Sequence, residues 1–364
     1  MSQDTGTVRV GVIGMGIGRM HIQNYLSTQH CRVTALCDMD EQRVQGTARE
    51  FGIERTFTDA GAMFASGEID AVSICTPNAY HAPQTMSALE HGLHVLCEKP
   101  MAMNTAEARR MIEAAGKAGR KLGIHFNHRM NPYVQAMKRY VESGDLGDVY
   151  FARTYWHRRR GIPARAGFVS RKQAGGGAMI DLGVHQLDQL LWVLGHPGIK
   201  SLSAQVYTKF DKVDVPHLSM DVDDFSVAFL RLENGATIEM EISWASHHDT
   251  DENRLLQLYG TDGGARRYLV GYQGGPQDLT IYRRRHGALT EEHVKDPPAV
   301  GNVQGDFVAA IREDREPLAS ARHGLITMQI LDALYESSRT GREVVFAEMF
   351  SGAAPAEKHE ATPA

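Results

Sequence analysis

The chain is short of three things whose presence would have narrowed its function at once. Only four of its 364 residues are cysteine, Cys31, Cys37, Cys75 and Cys97. They form no Cys-x-x-Cys pair, which argues against zinc clips and thiol redox pairs and leaves buried free thiols as the expectation. Long apolar runs are missing too. No stretch reaches the roughly 18 residues that a membrane span needs, and the opening MSQDTGTVRV has no apolar leader, so a cytoplasmic protein without membrane contact is expected. Finally, there is no positive excess. Lys and Arg number 39 against 44 Asp and Glu, a net charge of −5 with pI near 6.4, so no electrostatic footprint for nucleic acid is present. The 42% hydrophobic and 23% charged composition is that of a globular chain whose partner is a small molecule. A single core rarely grows beyond about 250–300 residues, so two domains are expected.

What is present begins with VRVGVIGMGIGRMH at Val8 to His21, an apolar strand that runs into a glycine-rich turn and then a helix. Gly14, Gly16 and Gly18 let the backbone approach a pyrophosphate, which the following helix N-terminus meets with N–H groups and a positive dipole end. The spacing is one residue short of Gly-x-Gly-x-x-Gly, because Arg19 stands where the third glycine would fall. A second strand, VTALCD, ends in Asp38, at about the 20-residue distance where such folds place an acid on the adenosine ribose. Strands and helices then alternate through IDAVSICTP, HVLCEKP and KLGIHFN. This predicts a doubly wound parallel sheet over residues 1–127, with ligands beyond the carboxyl ends of its strands. Those ends are Gly14 to Gly18, Asp38, Cys75 to Asn78, Glu98 to Pro100 and Asn127 to Arg129. Lys99 stands where a dehydrogenase needs a cation near an oxygen that changes charge, and Pro100 suits a cis turn that aims it inward.

From residue 128 the pattern changes to strand-like runs that alternate apolar and polar residues, which predicts a second α/β domain, 128–350, with a large, mostly antiparallel open sheet. One face would take helices and the other a partner subunit. Gly263 and Gly264 read as a turn, Arg283 to Arg285 as an exposed strand end, and residues 351–364 as a disordered tail. In GGGAMIDLGVHQLDQLLWVLG, Asp181, His185 and Asp188 recur at spacings of four and three and so share one face of a helix. An acid one turn before a histidine can orient the imidazole and raise its pKa, the arrangement of a general base. The run His157 to Arg160 reads as a solvated loop or a ligand contact. His125 with His128 and His247 with His248 lack acidic or thiol company, so no metal site is expected.

Taken together, GVIGMGIGRMH, LCEKPM and GGGAMIDLGVHQLD resemble the glucose-fructose oxidoreductase and inositol dehydrogenase family (Gfo/Idh/MocA) over nearly the whole chain. The resemblance implies a Rossmann domain, a C-terminal domain whose open sheet often mediates oligomerisation as a dimer or tetramer, and a nicotinamide dinucleotide; Asp38, which can accept from both ribose hydroxyls but would repel a 2′-phosphate, predicts NAD rather than NADP. It places the catalytic lysine at Lys99, the aspartate at Asp181 and the histidine at His185. Gly14, Met15, Gly16, Ile17, Gly18 and Asp38 fall on the pyrophosphate and ribose side. Thr76, Pro77, Asn78, His81, Glu98, Lys99 and Asn127 fall on the nicotinamide side. Lys99, Arg129, Trp156, Arg158, Asp181 and His185 form the expected edge of a pocket rich in fixed donors and acceptors, suited to a sugar, an inositol or a sugar derivative. The implied reaction is hydride transfer from a secondary hydroxyl to nicotinamide. Two other readings remain open at this point: an NAD-dependent glycoside hydrolase that works by transient oxidation and elimination, and a non-catalytic dinucleotide sensor. The presence of both Lys99 and His185 weighs against the sensor.

Overall fold

The computed structural model describes residues 6–271 and 277–350. The tail expected at 351–364 lies outside the described residues. Six strands, β1 (Val8–Ile13), β2 (Cys31–Cys37), β3 (Arg55–Phe57), β4 (Ala71–Ile74), β5 (His94–Cys97) and β6 (Leu122–Ile124), lie in the order β3-β2-β1-β4-β5-β6. All pair in parallel, as the alternating pattern predicts. β4 is buried at every residue because helices cover both faces of the sheet, which is why its sequence is apolar without alternation. The helices start and stop where the sequence supplies caps. Asp40 and Asn104 accept from the N–H groups of Arg43 and Glu107, and Gly52 and Gly119 end the same two helices at φ 69° and 61°. The switch in strand order between β1 and β4 opens the crevice for a ligand.

Nine further strands make the second sheet: β7 (Val149–Arg158), β8 (Ile199–Tyr207), β9 (Phe225–Leu232), β10 (Thr237–Ser243), β11 (Glu252–Gly260), β12 (Gly263–Val270), β13 (Gln277–Arg285), β14 (Ala288–His293) and β15 (Val344–Val345). Their order is β14-β13-β12-β11-β7-β10-β9-β8-β15, antiparallel throughout except where β7 meets β10. Along β7, Ala152, Thr154 and Trp156 are buried, and the residues between them are only partly so. The buried side lies under the helix Val184–Val193, where Gln186 reaches Thr154 Oγ1 at 2.9 Å.

Three details differ from the pattern reading. Gly263 and Gly264 are not a turn: they pair within β12, and the chain reverses at 261–262. Arg283 is not an exposed end, since its guanidinium pairs with Asp145 and Glu292. The helix Val303–Arg312 returns to the first sheet, where Phe307 and Val308 share a core with Val10, Val12 and Leu36. All four cysteines are free, and Cys37, Cys75 and Cys97 are buried at strand ends.

Candidate active site

The crevice begins where β1 enters Gly14. There φ is +88°, and a Cβ would stand 2.5 Å from the Cys75 carbonyl oxygen, so only glycine fits. A Cβ on Gly18 would meet Val12 Cγ1 at 3.0 Å, which lets the helix Gly18–Leu26 pack close to the strand. A Cβ on Gly16 would meet nothing within 4 Å, so the loop's outer side is open. The helix has no side-chain cap and no acid in its first turn; the Gly18 and Met20 N–H groups donate to the Gly14 and Ile17 carbonyls at 3.2 and 3.0 Å, so an anion would be met by the other N–H groups of the loop and by the positive end of the helix. Met15 is buried and Ile17 exposed on this loop. Asp38 ties the loop to the next strand: Oδ2 accepts from Met15 N–H at 2.7 Å and Oδ1 from Asp40 N–H at 3.0 Å. Arg43 Nη1 lies 3.5 Å from Oδ2. The open glycine cradle and the acid beyond it fit a nicotinamide dinucleotide, with Gly14 to Gly18 suited to the pyrophosphate and Asp38 to the adenosine ribose.

The remaining strand ends divide into groups that face the crevice and groups that turn away from it. Asn127 begins the short turn after β6, and its buried Oδ1 has no partner among the described residues. A buried amide oxygen without a donor is costly, so it suits a ligand N–H or O–H. Thr76 donates to Gln84 Oε1 at 2.7 Å, Pro77 precedes the 3-10 turn Asn78–Tyr80, and Asn78 Nδ2 donates to the Ala174 carbonyl at 2.8 Å. Asn78 thereby latches the first half of the chain to the second.

His81 and Glu98, both expected to line the nicotinamide, turn inward. His81 bridges the carbonyls of Pro100 and Thr76 through its two ring nitrogens, at 2.7 and 2.8 Å, and so braces two strand-end turns. Glu98 is 7% exposed; its Oε1 meets His21 Nε2 at 2.9 Å and His125 Nδ1 at 2.8 Å, and its Oε2 accepts from Lys99 N–H at 3.0 Å. Burial works against the charged carboxylate, but His125 and His21 outweigh it and hold the group well below the usual range. His21 Nδ1 meets Ser73 Oγ, and His125 Nε2 meets Gln304. Glu98 thus sets the Lys99 backbone from below.

Lys99, followed by a cis peptide to Pro100, reaches across to the helix that carries the Asp-x-x-x-His motif. Its Nζ donates to the Asp181 carbonyl at 2.9 Å and stands 3.3 Å from Asp181 Oδ1. Asp181 Oδ2 accepts from Trp244 Nε1 at 3.0 Å. The expected bond from Asp181 to His185 is not made. Met179–Gly183 is a π-helical turn, and its wider winding sends Asp181 to Lys99 and Trp244 instead. Asp223, which the sequence reading missed, fixes the start of this turn by accepting from the N–H groups of Gly177 and Met179 at 2.8 and 2.9 Å and from Tyr335 OH at 2.7 Å.

His185 stacks on His128 with centroids 4.4 Å apart and lies 6.1 Å from the Trp156 ring. Its Nδ1 is buried with no partner among the described residues. Burial, with Lys99 and His128 as neighbours, holds its pKa well below the usual value, where a carboxylate had been expected to raise it. The ring is therefore neutral at pH 7 and can accept a proton.

Trp156 is 4% exposed and lies beneath the two histidines, not at a pocket edge; its Nε1 donates to Glu252 Oε1 at 2.8 Å. Arg158 Nε pairs with Glu252 Oε2 at 3.3 Å, and Arg254 pairs with the same acid and stacks on Trp156 at 3.6 Å. Glu252 and Arg254 carried no sequence signal of their own. Arg129 does not reach the substrate side: it is 0% exposed, its Nε lies 3.0 Å from Asp188 Oδ2 and its Nη1 2.7 Å from the Leu318 carbonyl. That pairing also takes Asp188 off the face it was expected to share with Asp181 and His185.

Comparison with known proteins identifies the family of the chain. Residues 8–126 match the model described as an oxidoreductase family with an NAD-binding Rossmann fold, and residues 134–266 match the GFO/IDH/MocA C-terminal domain. The chain is 31% identical over 350 residues to the D-glucoside 3-dehydrogenase of Escherichia coli K12, covering 93% of this chain and 97% of that one. It is 28% identical over 348 residues to the D-apiose dehydrogenase of Paraburkholderia graminis, covering 92% and 88%. Among solved structures, an oxidoreductase from Agrobacterium radiobacter in complex with NAD+, L-tartaric acid and magnesium superposes with a TM-score of 0.78 at 25% identity, covering 94% and 99%. The chain therefore belongs to the Gfo/Idh/MocA family and is an NAD-dependent oxidoreductase.

Proposed function

We propose that the protein oxidises a secondary hydroxyl of a sugar, an inositol or a sugar derivative, with Lys99 and His185 acting on the reacting oxygen. The observation that carries this is the pairing of Lys99 Nζ with the Asp181 carboxylate, together with a buried neutral imidazole, His185, that has Lys99 among its charged neighbours and an Nδ1 without a partner among the described residues. When bound, NAD supplies the hydride acceptor. His185 takes the hydroxyl proton, because burial favours its neutral form. Lys99 donates to the same oxygen and steadies its developing charge, and Asp181 holds Lys99 in place. A ring bearing several hydroxyls suits the crevice, since each polar group left unpaired there would cost about 1–3 kcal/mol. The names of relatives that act on glucosides and apiose support a carbohydrate over a small hydroxy acid.

The test follows NADH at 340 nm with NAD and a panel of glycosides, aldoses and inositols. Turnover on at least one is expected, and His185→Ala or Lys99→Ala should lower kcat by about a hundred- to ten-thousandfold with the melting temperature unchanged. Turnover confined to short 2-hydroxy acids would overturn the reading. Among the described residues no helix is long and apolar enough to cross a membrane, and the reading includes a cytoplasmic location. It also includes a dimer or tetramer formed through the outer sheet face, where Tyr207, Phe229 and Val270 are each more than a third exposed. Sedimentation at equilibrium checks the oligomer.

A further inference from the structure

Three arginines occupy the helix-covered face of the second sheet, on neighbouring strands. Arg158 ends β7; Arg254 on β11 pairs in register with Trp156; Arg267 on β12 pairs with Leu256, one inward-facing row deeper. Arg158 and Arg254 both pair with Glu252, which is 3% exposed in its side chain. Arg267 is 5% exposed and forms no ion pair among the described residues. Its contacts are Gln277 Oε1 at 3.0 Å and Gln189 Oε1 at 3.4 Å, and its buried Nε has no partner among the described residues. Burial and the nearby Arg254 push the Arg267 pKa down to about 9. A buried guanidinium without an acid is unfavourable, and a second one beside it is more so. The cluster is also close to the chemistry: Gln189 links Arg267 to His128, which stacks on His185, and Arg254 and Arg158 lie over the Trp156 ring, which neighbours those two histidines.

We propose that Arg158, Arg254 and Arg267 form an oxyanion subsite, and that the preferred substrate is a sugar bearing a carboxylate or phosphate that seats there while a ring hydroxyl meets His185. This rests on the sugar-oxidation reading and narrows its substrate class. Guanidinium groups match oxyanions in geometry and charge, and the anion would supply Arg267 with the acceptor for its Nε and the negative charge that it lacks among the described residues. Lys99 and Asp181 already offset each other, so they leave the excess positive charge at the arginines.

The test compares matched pairs under saturating NAD at low ionic strength: methyl β-D-glucoside with methyl β-D-glucuronide, the galacto pair likewise, and the two hexose 6-phosphates. In every pair that turns over, the carboxylated member should have kcat/KM at least about tenfold above the neutral one, with the advantage shrinking as salt rises. The 6-phosphates distinguish a phosphate-bearing substrate from a sugar acid. Arg254→Gln and Arg267→Gln should each bring the ratio of anionic to neutral kcat/KM down about tenfold, a readout that a general loss of packing leaves unmoved. Equal or better use of the neutral sugar by the wild-type protein overturns the subsite while leaving sugar oxidation standing, and it does so even where the variants fail to fold. A ratio unmoved in folded variants overturns it too. No NADH from any sugar, neutral or anionic, overturns both readings.

Discussion

Replacing Arg129 by methionine separates a ligand-binding arginine from a structural one. The guanidinium and the Asp188 carboxylate are 1% and 2% exposed. Arg129 also donates to the Leu318 carbonyl and lies within 5.3 Å of the Phe126 ring and 5.9 Å of the Trp192 ring. Asp188 is held above the usual carboxylate pKa because burial outweighs its partner. Removing the arginine strands that acid, and breaking one side of a buried pair costs about 3–5 kcal/mol. Arg129→Met should therefore lower stability by that amount in urea titration. A double variant, Arg129→Met with Asp188→Leu, should recover most of the loss, because two apolar side chains leave no buried charge. KM for the sugar should change less than about threefold at a temperature where the single variant stays folded, since no group on the substrate side is touched. Unchanged stability with a KM raised tenfold or more would refute this account and return Arg129 to the substrate.

Two further outcomes follow from the site's electrostatics. Asp38 and a 2′-phosphate about 4 Å apart repel by roughly 4 kcal/mol at an effective dielectric near 20. With Arg43 3.5 Å from the carboxylate to offset part of this, about 1–3 kcal/mol remains, so kcat/KM should favour NAD over NADP by about ten- to a hundredfold. Equal rates with NADP would show that Arg43 swings to the phosphate. The second outcome concerns pH. Because His185 is shifted downward, its base form persists to lower pH than an ordinary histidine's would. The acidic limb of kcat/KM should therefore lie below pH 6.5, and a limb at pH 7 or above would contradict a base perturbed by burial and Lys99.

Much of the molecule was legible because its signals are local. The first sheet follows from strands and helices in alternation, the acid at Asp38 from its distance along the chain, and the cradle from Gly14, whose φ of +88° and closeness to the Cys75 carbonyl admit little else. Lys99 could be read because a parallel sheet delivers every strand end to one crevice. Where reading failed, a partner far along the chain made the decision. Spacing put Asp181, His185 and Asp188 on one helical face, yet spacing assumes an α-helix. A π-helical turn gives Asp181 to Lys99, and Arg129, 59 residues earlier in the chain, claims Asp188. Glycine's turn preference misled at Gly263 and Gly264 because the ladders to β11 and β13 outweigh it. β14 gave no signal at all, since every one of its residues is exposed and no buried face imposes alternation.

The same reasoning explains why inward-facing polar residues were mistaken for ligand contacts. A strand-end residue in a parallel sheet can point outward to the crevice or back into the turns that support it, and both positions select the same residue types. His81, Glu98 and Arg129 all satisfy buried partners: two carbonyls, two imidazoles with an amide, and a carboxylate with a carbonyl. Asn127 Oδ1, His185 Nδ1 and Arg267 Nε are buried and have none among the described residues. In a crevice built to take a polar ligand, the unpaired atoms are the ones that carry information about it, because desolvation has already been imposed on them and only the ligand can supply the missing bonds. On that criterion, recognition is expected at Asn127, His185 and the arginine wall, and the polar residues below them serve to hold Lys99 and its neighbours in position.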